Sequence, residues 1–444
     1  MPTPTPQPTN ARFASAAKQS GPVQVRAALA SQALPDFESL RKRAFNMRWA
    51  ECPPDVIPLT AADPDLPISS AITNAITRYV ATPHLPYGPP AGLPDFRHAL
   101  SAHFARTKSA DADPSRVIAT NSAASAIALV ARALLRSGDE VVVQDPVDFL
   151  VAESVRRAGA NVRFWKACDG RFTVEGLEQA LLENPQGNLQ RDPQETHHGS
   201  SRSSAAGRSR VRAIFVCNPH NPMGMLWSPS EVRAIAHLAS ERGIAIVSDE
   251  VWSDVVLDGR PFRSFAAHGS DDCHAWVVHG MSKGFAMAGL RMGAVIAPDR
   301  AAADAFVSSQ GFSHTIEGAS TLSQIAAIAA LREGDAWRLG FLDHCARMRD
   351  VAMRRLSKLK GVAVRRPPEA TFILFADVSA TGVGEDELAR RIERISRVRV
   401  VPGSPRWFGT AAAGHIRLSL ATTHEVLDEA LTRIEVSWRE ILAG

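Results

Sequence analysis

Val277-Val-His-Gly-Met-Ser-Lys-Gly-Phe-Ala-Met-Ala-Gly-Leu-Arg-Met-Gly293 decides how the rest of the chain is read. A β-branched run ends at His279, and Lys283 follows within a short turn containing Gly280, Ser282 and Gly284. A buried strand closing on such a turn sets a cation at the edge of a sheet. Outward from it, short β-branched runs at 116–119, 140–144, 161–165, 213–217, 244–248, 275–279 and 294–297 alternate with longer stretches of helical period. This alternation predicts a large α/β domain, a mostly parallel seven-stranded sheet between two helical layers. After about residue 301 the pattern changes. A helical region over 322–360, broken at 333–335, leads to strands near 362–364 and 372–377, a helix at 385–392, a strand at 416–420 and a closing helix at 424–442. That succession predicts a smaller α+β domain.

Composition bounds what such a chain does. Its 444 residues are 45% hydrophobic and 22% charged with 29 Gly and 29 Pro, an ordinary globular balance. Fifty Lys and Arg against 46 Asp and Glu leave a net charge of +4, too small and too scattered for a nucleic-acid or membrane surface. Cys52, Cys168, Cys217, Cys273 and Cys345 are far apart and in no metal-ligand spacing, which suits a reducing compartment without a disulfide framework or metal site. No apolar stretch reaches the roughly 18 residues of a membrane span. Residues 1–34 are rich in Ala, Ser and Pro, have no acidic residue before Asp36 and lack the apolar core of a secretory signal. A transit peptide shares that composition. We read 1–45 as a flexible arm on a cytoplasmic protein, and the polar segment 185–210, whose His197 and His198 are unliganded, as a surface insertion. The remaining ranges divide into 66–300 for the large domain and 46–65 with 301–444 for the small one.

Three further segments bear on chemistry. Cys217-Asn-Pro-His-Asn-Pro-Met-Gly224 leaves a strand through two Asn-Pro steps and a Gly, a tight non-helical path. Ser248-Asp-Glu-Val251 puts Asp249 at the C-terminal edge of the sheet, where open α/β sheets bind ligands. Gly414-His-Ile-Arg-Leu-Ser-Leu420 carries Arg417 on a small-domain strand. Each is weak alone, since a carboxylate ending a strand is often only a helix cap.

In this order the segments resemble the fold-type I pyridoxal-phosphate enzymes, specifically the class I/II aminotransferases and the related cystathionine β-lyase-like C-S lyases. Residues 55–59 with Ala62 and Asp63, Tyr87-Gly-Pro-Pro-Ala-Gly92 followed by Arg97, and Pro368-Glu-Ala-Thr-Phe372 extend the resemblance over most of the chain. It implies pyridoxal 5'-phosphate as cofactor and amino acids and 2-oxo acids as substrates. Lys283 would form the Schiff base and move the α-proton, which needs an amine of lowered pKa. Asp249 would pair with the pyridinium nitrogen and Asn221 with the ring hydroxyl oxygen. Arg291 and Ser282 would hold the phosphate together with the amides of Ser122, Ala123 and Ala124, where a helix begins at about 124. Tyr87, one of only two tyrosines, would reach the phosphate of a neighbouring subunit, so a homodimer with shared sites is implied. Arg417 would clamp the substrate α-carboxylate.

The chain also departs from the family pattern. Where an aromatic ring usually stacks on the cofactor, the turn Asp145-Pro-Val-Asp-Phe-Leu150 offers Asp148, which cannot stack; Phe149 takes its place if the turn shifts by one residue, or the ring face is covered differently. Trp252 stands where most aminotransferases carry a tyrosine and many C-S lyases a histidine, and Gly280 where a serine is frequent. Arg291 in Gly289–Gly293 and Val400-Val-Pro-Gly-Ser404 are aminotransferase-like, whereas Cys217–Pro222 and 55–63 are lyase-like. The resemblance thus implies an aminotransferase, with C-S β-lyase or another specialised pyridoxal-phosphate reaction as alternatives. A non-catalytic ligand sensor ranks last, because no helix-turn-helix precedes the α/β region.

Overall fold

The structure is a computed structural model that describes residues 34–42, 46–182, 211–267 and 273–444. The expected insertion at 185–210 and most of the expected arm at 1–45 lie outside the described residues. Among the described residues twelve strands follow in chain order: β1 (Ile57–Pro58), β2 (Val117–Thr120), β3 (Glu140–Asp145), β4 (Asn161–Lys166), β5 (Val211–Cys217), β6 (Ala245–Asp249), β7 (Ala275–Gly280), β8 (Gly293–Ile296), β9 (Ile373–Asp377), β10 (Val398–Arg399), β11 (Val401–Pro402) and β12 (His415–Ser419).

The seven predicted large-domain runs all become strands of one sheet, in the order β2-β8-β7-β6-β5-β3-β4. Pairing is parallel from β4 through β3, β5 and β6 to β7, and β8 runs antiparallel to both its neighbours. Its central strands are buried throughout, as β3 and β7 show, because helices cover both faces. Alternate side chains feed the two layers. Val141 and Val143 join one apolar core with the helix Ala123–Leu134, while Val142 joins the other with the helices Pro94–Thr107, Pro229–Glu241 and Thr321–Glu333. Each Val or Ile buried this way contributes roughly 1.5–3 kcal/mol relative to exposure.

A second, antiparallel sheet has the order β11-β12-β9, and β1 pairs in parallel with β10. The helices Asp335–Leu356 and His424–Ala443 pack on them around a core that includes Leu374, Leu418, Leu427 and Trp438. The helical break predicted at 333–335 falls at Gly334, where an added Cβ would meet the Ala330 carbonyl oxygen at 2.4 Å. The strand predicted near 362–364 shrinks to one bridge, Ala363 to Asp377, since Pro367 and Pro368 follow and supply no backbone donors. The two-residue strands β1, β10 and β11 went unpredicted, being too short to show a period of two.

The chemistry-bearing turns share one edge because β5, β6 and β7 are adjacent and parallel. Cys217 pairs in register with Asp249, and Asp249 with Val278. The turns after β5 and β7 therefore emerge beside Asp249.

Candidate active site

At one end of the cleft, β2 leads into the helix Ala123–Leu134 through Ser122, which caps it. The Ser122 hydroxyl oxygen accepts from the Ser125 amide at 3.1 Å and from Arg291 Nη2 at 3.0 Å. Ser122 and Arg291 both hold left-handed backbone, with φ of 119° and 49°. Gly293 presses against this corner: an added Cβ would lie 2.4 Å from the Ser122 carbonyl carbon and 2.5 Å from the Ala123 nitrogen. The corner thus gathers a helix N-terminus, a hydroxyl and a guanidinium, the ingredients of a site for a doubly charged anion.

The floor of the cleft is ionisable. Asp249 ends β6, and its Oδ1 accepts from the Val251 amide at 3.1 Å. Burial pushes its carboxyl up to about 6, with Asp148 adding to the rise and Lys283 opposing it. Lys283 stands at the C-terminal end of β7 and donates through Nζ to the Ala62 carbonyl at 2.6 Å. Burial pulls its amine down to about 8, with Asp63 and Asp148 resisting and Arg417 reinforcing. Its Nζ lies 5.4 Å from the centre of the Trp252 ring, which is itself buried edge-on to Phe372.

Asn221 bridges the remaining polar groups. Its Nδ2 donates to Asp148 Oδ2 at 3.1 Å, and its Oδ1 accepts from Arg417 Nη1 at 3.5 Å. Gly224 makes this turn possible, with φ of 65° and no room for a side chain against Pro368. Arg417 is buried over the Phe408 ring and donates through Nη2 to the Thr60 carbonyl at 2.8 Å, while its Nε finds no partner. A buried guanidinium so poorly matched is built for an anion that arrives from outside.

Nine of the predicted residues, Lys283, Asn221, Asp249, Ser282, Arg291, Ser122, Ala123, Ala124 and Trp252, line a single cavity of about 210 Å³, and Arg417 adjoins it through Asn221. Phe149 does not join them. Its ring packs edge-on to Trp407 at 5.8 Å and remains 41% exposed, because Asp148 caps the helix Phe149–Arg157 by accepting from the Leu150 amide and that geometry turns Phe149 outward. The cleft wall there is Asp148, Leu150 and Val151. Tyr87 is 89% exposed and does not line the cavity of its own chain. A serine at Gly280 would be crowded, since a Cβ there meets Ala123 and Val251 at 3.1 Å. The Ala62 carbonyl, Asp63, Thr60 and Phe408 had no predicted role; the resemblance drew attention to Ala62 and Asp63, whereas nothing local marks Thr60 or Phe408.

The residues present fit pyridoxal 5'-phosphate and an amino acid. An anion corner at Ser122 and Arg291, an amine of lowered basicity at Lys283 and a carboxyl at Asp249 suit its phosphate, aldehyde and ring nitrogen. The unpartnered Nε of Arg417 suits a carboxylate.

Comparison with known proteins agrees. The model of the aminotransferase class I and II family matches residues 54–434, and the chain belongs to that family. It is a pyridoxal-phosphate-dependent aminotransferase of the fold-type I architecture. An aspartate/prephenate aminotransferase of Thermus thermophilus is 32% identical over 385 residues, covering 85% of this chain and 90% of the relative. A Mycobacterium tuberculosis protein provisionally named a cystathionine β-lyase is 28% identical, covering 91% of this chain and 97% of its own. The crystal structure of an aromatic aminotransferase from Pyrococcus horikoshii superposes with a TM-score of 0.75 at 26% identity, covering 87% of this chain and 97% of its own. Among the described residues no helix is long and apolar enough to cross a membrane.

Proposed function

We propose that this enzyme moves the amino group of an L-amino acid to a 2-oxo acid, with Lys283 as the residue that holds the cofactor and handles the proton. The observation that carries this reading is the Lys283 amine, lowered to about 8 and set in one cleft with Asp249 and the Ser122–Arg291 corner. When bound, pyridoxal phosphate supplies an electron-poor ring that takes up the charge left at the substrate α-carbon. Arg291, Ser282 and the amides at 122–124 would bind its phosphate. Asp249 would hold a proton at the ring nitrogen, and Asn221 would donate to the hydroxyl oxygen on the ring. Arg417 would grip the α-carboxylate and so orient the α-carbon toward Lys283, whose Nζ would take up the α-proton and carry it past the amino nitrogen. Trp252 and Phe372 exclude water beneath the lysine.

The same reading has residues 66–300 as the cofactor domain and 46–65 with 301–444 as the small domain. It makes the enzyme a cytoplasmic homodimer of amino-acid metabolism in which Tyr87 completes the partner's site; the exposure of Tyr87 supports this. β-Elimination uses the same α-proton, and the likeness to the M. tuberculosis protein keeps it as the second reading.

Purified protein with cofactor is expected to show a visible band that borohydride bleaches and that Lys283→Ala abolishes; persistence of the band in that variant would refute the role of Lys283. Amino acids added singly should yield the amine form of the cofactor and a 2-oxo acid. Ammonia with a 2-oxo acid and no amine form would establish elimination instead.

A further inference from the structure

Asp148 is the anomaly of the cleft. It occupies the position at which the resemblance expects a ring-stacking aromatic, and its carboxylate forms part of the cavity wall. Two bonds reach it, from the Leu150 amide to Oδ1 at 3.2 Å and from Asn221 Nδ2 to Oδ2 at 3.1 Å. A carboxylate group offers about four acceptor sites, and these bonds take up two of them. It also acts on three groups of the site, resisting the lowering of Lys283 and of Arg417 and adding to the rise of Asp249.

The cations of the site are already committed. Lys283 and Arg291 are the Lys and Arg residues among those lining the cavity, and Arg417 adjoins it. In the proposed function these three serve the aldehyde, the phosphate and the α-carboxylate. A substrate with a second carboxylate therefore meets no uncommitted cation among the described cleft residues, and meets Asp148 instead. Only the amide of Asn221 separates Asp148 from Arg417, so a side chain extending from an α-carbon held at Arg417 passes within reach of it.

We propose that Asp148 is a specificity residue: it selects amino acids whose side chain bears an ammonium or guanidinium group and rejects those with a side-chain carboxylate. This inference rests on the proposed function and sharpens it. The Thermus relative is named for aspartate, and Asp148 sets this chain apart from such a substrate by placing a like charge in the pocket.

Asp148→Asn removes the charge while keeping the side-chain shape and the helix cap, its one amide oxygen still accepting from the Leu150 amide; its amide nitrogen no longer accepts from Asn221, so the test reads the ratio between ligands, which a loss common to all of them leaves unmoved. Cofactor-loaded wild type and variant would be titrated calorimetrically with L-arginine, L-leucine and L-glutamate. Wild type should bind L-arginine at least about tenfold more tightly than L-glutamate, the scale of one close charge pair in a partly wet site. In D148N that ratio should fall by about tenfold or more, with L-leucine reporting whatever shift is common to all ligands. A purely capping role would shift all three ligands together. Tighter or equal binding of L-glutamate in wild type, binding of none of the three, or an unchanged ratio in D148N overturns the inference, whereas a missing borohydride-sensitive band refutes the proposed function itself.

Discussion

Lys108 donates through Nζ to Asp254 Oδ1 at 2.5 Å in an interior where neither side chain is appreciably exposed. His103 Nε2 lies 2.7 Å from the same oxygen, and His279 Nε2 lies 3.3 Å from the other. Burial on its own raises the Asp254 carboxyl, yet Lys108 and His103 hold it well below the usual carboxylate range. Asp254 is packed against the turn that bears Lys283: a Cβ added to Gly284 would fall 2.3 Å from the Asp254 Cβ. The turn that bears Lys283 thus rests on a buried ionic cluster.

Removing one member of that cluster strands its partners. Asp254→Ala leaves the Lys108 ammonium buried without a counter-charge and should cost about 3–5 kcal/mol in denaturant unfolding. A loss below about 1 kcal/mol would mean that water reaches Lys108.

Gly293 tests the anion corner. A methyl group at this position has to displace the Ser122–Ala123 peptide, which carries the helix N-terminus. Gly293→Ala should weaken pyridoxal-phosphate affinity at least about tenfold, on the order of 1.4 kcal/mol, as read by absorbance titration. Unchanged affinity would place the phosphate elsewhere.

The pH dependence of the cofactor-free protein follows from Asp249, whose carboxyl rises from 3.8 to about 6 on folding. The folded chain holds that proton more tightly than the unfolded one. The stabilisation is fully present below about pH 4 and is lost as pH climbs through about 6. Above that, the fold carries a buried anion. Asp249→Asn without cofactor should therefore be more stable than wild type at about pH 7, by on the order of 1–3 kcal/mol, and equal to it near about pH 4. Thermal melts at both pH values check the sign, and the variant should bind cofactor poorly.

Phe149 packs on Trp407, so its ring ties the helix after β3 to the short helix Pro405–Phe408 and does not line the cleft. Phe149→Ala should leave pyridoxal-phosphate affinity within about twofold and reduce stability by roughly 1 kcal/mol, the scale of an aromatic pair at a half-exposed site. A large drop in affinity would restore Phe149 to the ring face.

Much of this was legible before the fold was known. β-branched runs mark the strands, and Asp249 and Lys283 lie where two adjacent parallel strands end, so their meeting at one edge follows from local pattern and sheet topology. Asn221 lay in a turn recognisable by its prolines, and Arg417 on a strand of the second sheet. The sequence by itself therefore determined the sheet and the strand ends and strand on which Lys283, Asp249 and Arg417 stand. Tertiary structure alone decided which side chain of the Asp148–Phe149 pair lines the cleft. A helix cap orients Asp148 within its own turn, while Trp407, from a distant part of the chain, draws Phe149 away. It also supplied the Ala62 and Thr60 carbonyls and the Phe408 ring beneath Arg417. Backbone carbonyls and packing partners bear no signature in residue type; they become part of a site only when separate segments are brought together by burial of the surfaces between them.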